Sequence, residues 1–252
     1  MGKLVAYSGF SSSNYLEQPY NSDLDFGTGD FCVMAWIYPT DSSFSSIISR
    51  GGNGVFGPYA LSINGNVATF VASNDWNEST GSGSWGTIIA NVGNIPSNTW
   101  SQVVATISGT TAKLYVNGEL QGTDTSAVNP KAPTSNFIAT TIGAERHSVS
   151  GDIGRPFSGS LALVRASATA PTAEQIAKIY EDEKVLFQEN AKATLYGSSD
   201  AVTALAYDDD TNLLHVGTSA GRSDFQGLRR VDNTTTAVGA AISASNGLIA
   251  ED

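Results

Sequence analysis

The 252-residue chain is 40% hydrophobic, only 15% charged and carries 26 glycines, which excludes wholesale disorder and favours strands and turns over long helices. Its formal net charge is 13 − 24 = −11 with no Lys/Arg block, so a nucleic-acid-binding surface is excluded. A single cysteine rules out an intrachain disulfide scaffold.

The chain opens Met1-Gly2-Lys3-Leu4 and runs directly into strand-like sequence. No apolar leader with a small-residue cleavage site follows, and no apolar run approaches the ~18 residues of a membrane span. The expectation is a protein made in the cytoplasm, without a signal peptide and without membrane insertion.

Residues 1–170 read as short strands punctuated by Gly, Asn, Asp and Pro. Phe31–Tyr38 is apolar or aromatic on both alternating faces, as an inner strand covered on both sides would be. Further strands are expected over 45–49, 59–63, 67–72 and 100–108. Ala112–Val116, then Asn117-Gly118, then Glu119-Leu120 spells a hairpin, because a type I′ turn needs positive φ at both central residues. Phe157–Arg165 is another strand.

One helix follows Pro171. Thr172 caps it and Gln175, three residues on, completes a capping box. Ile176, Ile179, Tyr180, Leu186 and Phe187 give the apolar stripe, and Glu181-Asp182-Glu183 the solvated side. A length of about three to four turns is expected.

The last 67 residues differ in style. Charge divides as 9 − 15 = −6 over 1–185 and 4 − 9 = −5 over 186–252, so the tail is more acidic per residue. Three strands are expected, over 201–207, 213–217 and 225–231, joined through Asp208–Asn212 and 218–222. Such a sheet has one apolar face and two open edges, and is marginal alone in water. It needs cover from the main domain, a second copy or a partner.

The order of motifs resembles the concanavalin A-like, laminin-G-like jelly-roll family. The pieces are Leu24-Asp25-Phe26-Gly27-Thr28-Gly29-Asp30-Phe31, Ala35-Trp36-Ile37-Tyr38-Pro39 and Trp100-Ser101-Gln102-Val103-Val104-Ala105. Leu114-Tyr115-Val116-Asn117-Gly118, Ile142-Gly143, Phe157–Arg165 and the closing helix complete the set. The resemblance covers 1–185 and implies an all-β fold: a two-sheet antiparallel jelly-roll sandwich with one C-terminal helix. The 186–252 segment is then an appended short β-meander for docking or oligomerisation, faintly similar to one β-propeller blade. A sandwich of this kind with an acidic appendage looks like accessory modules of tailed-bacteriophage virions. The partners implied are virion proteins or identical copies, and the location implied is the virion.

Hydrolytic members of the family carry Glu-x-Asp-x-Glu on one strand, placing two carboxylates across the sugar bond. No strand here has that spacing, so no catalytic residue is assigned and the chain is read as a non-enzyme. His147 and His215 sit beside no nucleophile-elbow sequence. Family relatives often hold a rim calcium with an acid two positions before the Val-Arg pair of the closing strand; here that position is Ala162. Asp25 and Asp152 are read as turn residues. Asp208, Asp210 and Asn212 begin like a calcium loop, but the later ligands are missing. No metal or cofactor is therefore expected.

The ligand-binding candidates are Asp75, Trp76, Asn77 and Trp85, in a Gly/Ser-rich loop. Aromatic rings stack on the apolar face of a sugar while Asn and Asp hold its hydroxyls. The expected function is a non-catalytic virion module that binds a glycan or protein surface and docks through its tail. The alternatives are a glycan-degrading enzyme on the same fold and a purely structural virion component.

Overall fold

The computed structural model describes residues 6–51, 58–73, 86–127, 139–146, 152–187, 202–226 and 229–235. The chain divides into two compact units, Met1–Asp182 and Glu183–Asp252.

The strands of the first unit, in chain order, are β1 (Tyr7–Ser8), β2 (Leu16–Gln18), β3 (Phe31–Pro39), β4 (Ser45–Arg50), β5 (Tyr59–Asn64), β6 (Val67–Ala72) and β7 (Thr87–Val92). Then come β8 (Ser101–Ser108), β9 (Thr111–Val116), β10 (Glu119–Asp124), β11 (Thr140–Ile142), β12 (Glu145–Arg146), β13 (Ile153–Gly154) and β14 (Gly159–Ser167). They form two six-stranded antiparallel sheets. The first runs β1-β14-β3-β8-β9-β10 and the second β2-β11-β4-β5-β6-β7; β12 and β13 make a small pair of their own.

The strand β3 explains the layering. Its side chains alternate between two faces. Phe31, Val33, Ala35 and Ile37 enter the core between the sheets, meeting Leu61, Ile63, Phe70 and Ile89 of the second sheet. Cys32 and Met34 point the other way, under Ile176 and Ile179, while Trp36 stacks on Tyr180 with ring centroids 5.7 Å apart. Those covering residues belong to α1 (Ala173–Glu183). Both faces of β3 are thus dry, which is why the sequence shows no polar alternation there. Burial pushes the Cys32 thiol up to about 12, so it is an inert packing residue.

The capping box forms as expected. The Thr172 backbone N–H donates to Gln175 Oε1 at 2.8 Å, and the Gln175 N–H donates back to Thr172 Oγ1 at 3.2 Å. The apolar stripe is shorter than the sequence pattern implied. Leu186 closes a separate 3-10 turn, Lys184–Leu186, and Phe187 follows it, so only Ile176, Ile179 and Tyr180 belong to the α-helix.

The Asn117-Gly118 turn also forms, with φ of 53° and 80°. It lies against α1: a Cβ on Gly118 would stand 3.1 Å from Tyr180 Cβ and 3.3 Å from Ala177 Cα. Gly118→Ala therefore combines a left-handed backbone penalty with crowding, and should destabilise the fold by about 1–2 kcal/mol. A lowered urea midpoint at unchanged slope is the expected readout.

The second unit is a four-stranded antiparallel meander, not a three-stranded one: β15 (Val202–Asp208), β16 (Leu213–Thr218), β17 (Gly221–Gln226) and β18 (Arg229–Thr234), in that order across the sheet. The expected strand over 225–231 is in fact the end of β17 and the start of β18. Only Gly227 and Leu228 separate them, and a glycine-first two-residue link is a hairpin signal that the apolar pattern hides. The turn falls within the expected 218–222 connection, where the Ala220 N–H donates to Thr218 Oγ1 at 3.2 Å, and the next strand starts at Gly221 instead of 225.

Candidate functional site

Sheet register collects three connections at one end of the second sheet. Gln18, Thr140, Arg50, Tyr59, Ala72 and Thr87 stand side by side across its six strands. From that row the chain leaves β4 and returns to β5 through 51–58. It leaves β6 and returns to β7 through 73–86, and it enters β11 from 125–139. Connections that leave one end of a sheet are where scaffolds often carry their binding residues.

The 73–86 connection is pinned at both feet. The Ser73 N–H donates to the Pro58 carbonyl, and the Gly86 N–H to the Ala72 carbonyl, both at 3.0 Å. Asp75 is the second residue after Ser73, and Trp85 immediately precedes Gly86. The four candidate ligand residues, Asp75, Trp76, Asn77 and Trp85, lie outside the described residues, as does His147.

Beneath this row sits a charge that sequence reasoning did not assign. Arg50 is fully buried (0% exposed) on the core-facing side of β4. Its guanidinium is ion-paired with Asp25, donates to Thr140 Oγ1 at 2.9 Å and to the Asn21 carbonyl at 3.1 Å, and lies 5.6 Å from the Tyr20 ring centroid. Asp25 also accepts from the Tyr20 hydroxyl at 3.0 Å. Burial holds the neighbouring Tyr59 hydroxyl well above its usual pKa, against the pull of Arg50, so it stays a neutral phenol. Phe26, Phe31 and Tyr59 pack beside it, with Phe26 stacked on Phe31 at 4.6 Å and Phe31 5.4 Å from Tyr59. This knot ties the 19–30 segment to the sheet. Arg50 is a support for the loop end, too deep to touch a ligand. The Asp25 carboxylate, read from sequence as a turn residue, is committed to Arg50 and Tyr20.

A second charged cluster lies at the opposite end of β11. Glu145, on β12, is buried and accepts from Arg155 Nη1 at 2.8 Å. Burial pushes Glu145 up to about 7, with Arg155 pulling it back. The Arg155 guanidinium lies 4.1 Å from the Phe44 ring centroid. On the other side of β12, Arg146 is paired with Glu17 of β2 through two nitrogens, Nε at 3.0 Å, and reaches the Tyr15 hydroxyl at 3.3 Å. Glu17 and Thr141 sit on the face of the second sheet turned away from the core, in line with Ser49, Ala60 and Val71. Each of the two glutamates is thus neutralised by its own arginine.

Among the described residues no group of three or more His, Cys, Asp or Glu side chains is placed to hold a metal. Asp152 stands exposed before β13. The acidic tip of the second unit is a self-contained turn: Asp208 accepts from the Asp210 N–H at 3.0 Å and from the Thr211 hydroxyl, which holds its carboxyl below the usual range. His215, on β16, pairs with its cross-strand neighbour Asp224 at 2.6 Å. Arg222 Nη2 holds the same carboxylate at 3.0 Å. Hydrophobic periodicity carries no signal for such a cross-strand pair, because the residues are nine apart and only register unites them.

The first unit is therefore a lectin-type β-sandwich: two facing antiparallel sheets with a helix over one of them. Residues 10–177 match the family model described as the concanavalin A-like lectin/glucanases superfamily, and the chain belongs to that superfamily. Among solved structures, it is similar to the botulinum neurotoxin serotype G binding domain, at 9% identity and a TM-score of 0.51 over 87% of this chain and 56% of that one. It is also similar to the CBM40 of the Ruminococcus gnavus IT-sialidase bound to α2,3 sialyllactose, at 13% identity and 0.48 over 71% and 100%. A third is the heptameric SAP-like pentraxin from Limulus polyphemus, at 17% identity and 0.46 over 61% and 70%. At these identities the likeness is one of fold. The chain spans little more than half the length of that neurotoxin binding domain. No curated protein sequence matches it.

Proposed function

We propose that the chain is a non-catalytic carbohydrate-binding module, holding its ligand at the loop end of the second sheet through Trp76 and Trp85, with Asp75 and Asn77 as hydroxyl partners. The observation that carries the reading is the pairing of its acids. Glycoside hydrolysis needs two facing carboxylates, one of them free to hold or take a proton. Here Asp25 and Glu17 are committed to Arg50 and Arg146, and Glu145, although it can hold a proton near neutrality, is buried against Arg155 with no second carboxylate among the described groups acting on it. What remains suited to a sugar is the loop that bears two tryptophans, set on a rigid base.

The module is proposed to work within a larger assembly of the tailed-bacteriophage virion kind, residues 186–252 docking it to virion proteins or to identical copies. The acidic, sheet-forming character of that segment supports a docking role.

A glycan array with the intact chain tests the binding role. Trp76→Ala and Trp85→Ala are each expected to weaken binding by up to about tenfold, the size of one lost stacking contact. Binding untouched by both changes would move the site elsewhere. No binding to any glycan would remove the carbohydrate reading, and release of reducing sugar would make the protein an enzyme.

A further inference from the structure

Glu145 and Arg155 form an ion pair of unequal halves: the arginine side chain is 33% exposed and the glutamate only 6%. Glu145 sits on β12, which packs against β4, β11 and β13. β11 and β13 carry no charge, and the one charge on β4, Arg50, is committed to Asp25. Arg146, on the other side of β12, is held by Glu17. Asp152 stands exposed before β13, and Asp41, three residues before Phe44, accepts from the Ser43 N–H at 2.8 Å. Among the described groups, Arg155 is the charge that acts on Glu145.

Arg155 is held in place from both sides. Its backbone lies in the left-handed region, at φ of 47°, which residues with a side chain rarely adopt. The Ser46 N–H, donating to the Arg155 carbonyl at 3.0 Å, ties it there. Its guanidinium lies 4.1 Å from the Phe44 ring centroid, and Phe44 is 39% exposed. A cation and an aromatic ring thus stand together at the surface, backed by an acid that is buried.

We propose that Arg155 and Phe44 form a second ligand site, for the carboxylate of an acidic sugar, and that the charge state of Glu145 gates it. This deepens, and rests on, the carbohydrate-binding role proposed above, at the opposite end of β11 from the row that bears the tryptophan loop. The chemistry selects the ligand. An arginine fork takes a carboxylate through two parallel N–H···O bonds. A pyranose ring brings an apolar face for the aromatic ring. A sugar acid offers both; a neutral sugar lacks the first and a simple carboxylate the second.

The same pairing explains the gate. While Glu145 is ionised, it accepts from Arg155 Nη1 at 2.8 Å and neutralises the guanidinium. An incoming carboxylate then has no unmatched charge to meet. Once Glu145 is protonated, Arg155 stays cationic and its fork is open to an anion from solvent. Burial sets this exchange near neutrality, pushing Glu145 up to about 7 against the pull of Arg155. Affinity then follows the protonated fraction, which rises from about a tenth at pH 8 to about nine-tenths at pH 6 for such a group. A sugar carboxylate stays ionised throughout that interval.

The test is calorimetric titration of the intact chain with a galacturonic acid tetramer at pH 6 and pH 8, at constant ionic strength, with acetate as the control. Wild type should bind the tetramer about tenfold more tightly at pH 6. Glu145→Gln removes the gate and should bind at pH 8 as tightly as wild type does at pH 6. Glu145→Gln with Arg155→Gln keeps a neutral pair in place and should bind at least about tenfold more weakly than Glu145→Gln at both values. Phe44→Ala, at an exposed position, should weaken binding without touching either charge. Equal affinity at the two pH values overturns the proposal, as does no binding at pH 6. A pH dependence that persists in Glu145→Gln, or acetate binding as tightly as the tetramer, overturns it equally. Tetramer binding that Trp76→Ala removes and the double variant keeps belongs to the loop site, and also overturns it. Neutral glycans on the array report the loop site alone, so failure of the gate and failure of the carbohydrate reading are distinguishable.

Discussion

Asp25→Ala is expected to cost about 3–5 kcal/mol, because it leaves the Arg50 guanidinium buried without its counter-charge. Arg50 has no exposed surface; water cannot replace the lost carboxylate, and Thr140 and the Asn21 carbonyl offer only neutral oxygens. The urea midpoint should fall sharply. Asp23→Ala, two residues away on an exposed turn, should stay within about 0.5 kcal/mol. Replacing both partners, Arg50→Met with Asp25→Ala, should recover much of the loss, since the penalty comes from an unmatched charge more than from a missing attraction. If the single and double variants are equally destabilised, the pair is not the organising feature of this end of the sandwich. The exposed pair Lys178–Asp182 on α1 is the contrast: breaking it should cost only a few tenths of a kcal/mol.

That knot marks the limit of what the sequence makes legible. The inner strand β3, the Asn117-Gly118 turn and the capping box at Thr172 and Gln175 are all local patterns, and local patterns are what periodicity and turn chemistry read well. The two-sheet sandwich is what the resemblance of their order to the jelly-roll family implies. The charged pairs do not. Asp25 and Arg50 are 25 residues apart, Glu17 and Arg146 are 129 apart, and Glu145 and Arg155 are joined by a small hairpin. Each pair joins side chains that only the fold brings together, and a lone acid next to glycines looks like a turn residue until its partner is placed. The fourth strand of the second unit is missed for a related reason: β17 opens Gly221-Arg222-Ser223-Asp224, a polar run that reads as loop. Its Asp224 is buried because His215 and Arg222 converge on it.

The same lack of long-range signal shapes the functional reading. The tryptophan-bearing loop is conspicuous in composition alone, and register shows that its two feet stand on the Arg50–Tyr59 row. A binding loop is useful in proportion to the stiffness of its base, because a preorganised site loses less entropy when it closes on a ligand. The buried ion pair, the stacked Phe26 and Phe31 and the neutral Tyr59 together make that base stiff. On the function proposed above, weakening it through Asp25 should lower glycan binding on the array before it unfolds the domain.

The second large effect is a pH dependence carried by Glu145. Burial raises its folded pKa to about 7 from an ordinary 4.5, with Arg155 opposing. A carboxyl that binds its proton more tightly when folded stabilises the fold fully below its unfolded pKa. That stabilisation is lost as pH rises through the folded value. Stability should therefore fall between about pH 4.5 and 7, by at most about 3 kcal/mol if the whole gap is expressed. The groups held below the usual carboxylate range, Asp30 through Ser108 and Gly109, Asp41 through Ser43 and Asp208 through Thr211 and Asp210, titrate outside that window. Glu145→Gln keeps the side-chain shape and removes the proton. It should flatten this part of the urea-midpoint profile and make the protein more stable than wild type at pH 8. A variant profile that parallels the wild type would place the titrating group elsewhere. The direction is informative for the cluster as well. Once Glu145 is neutral, Arg155 keeps its contact with Phe44 but loses the charge that fixes it, so acidification frees one cation beside the second sheet while the fold grows more stable.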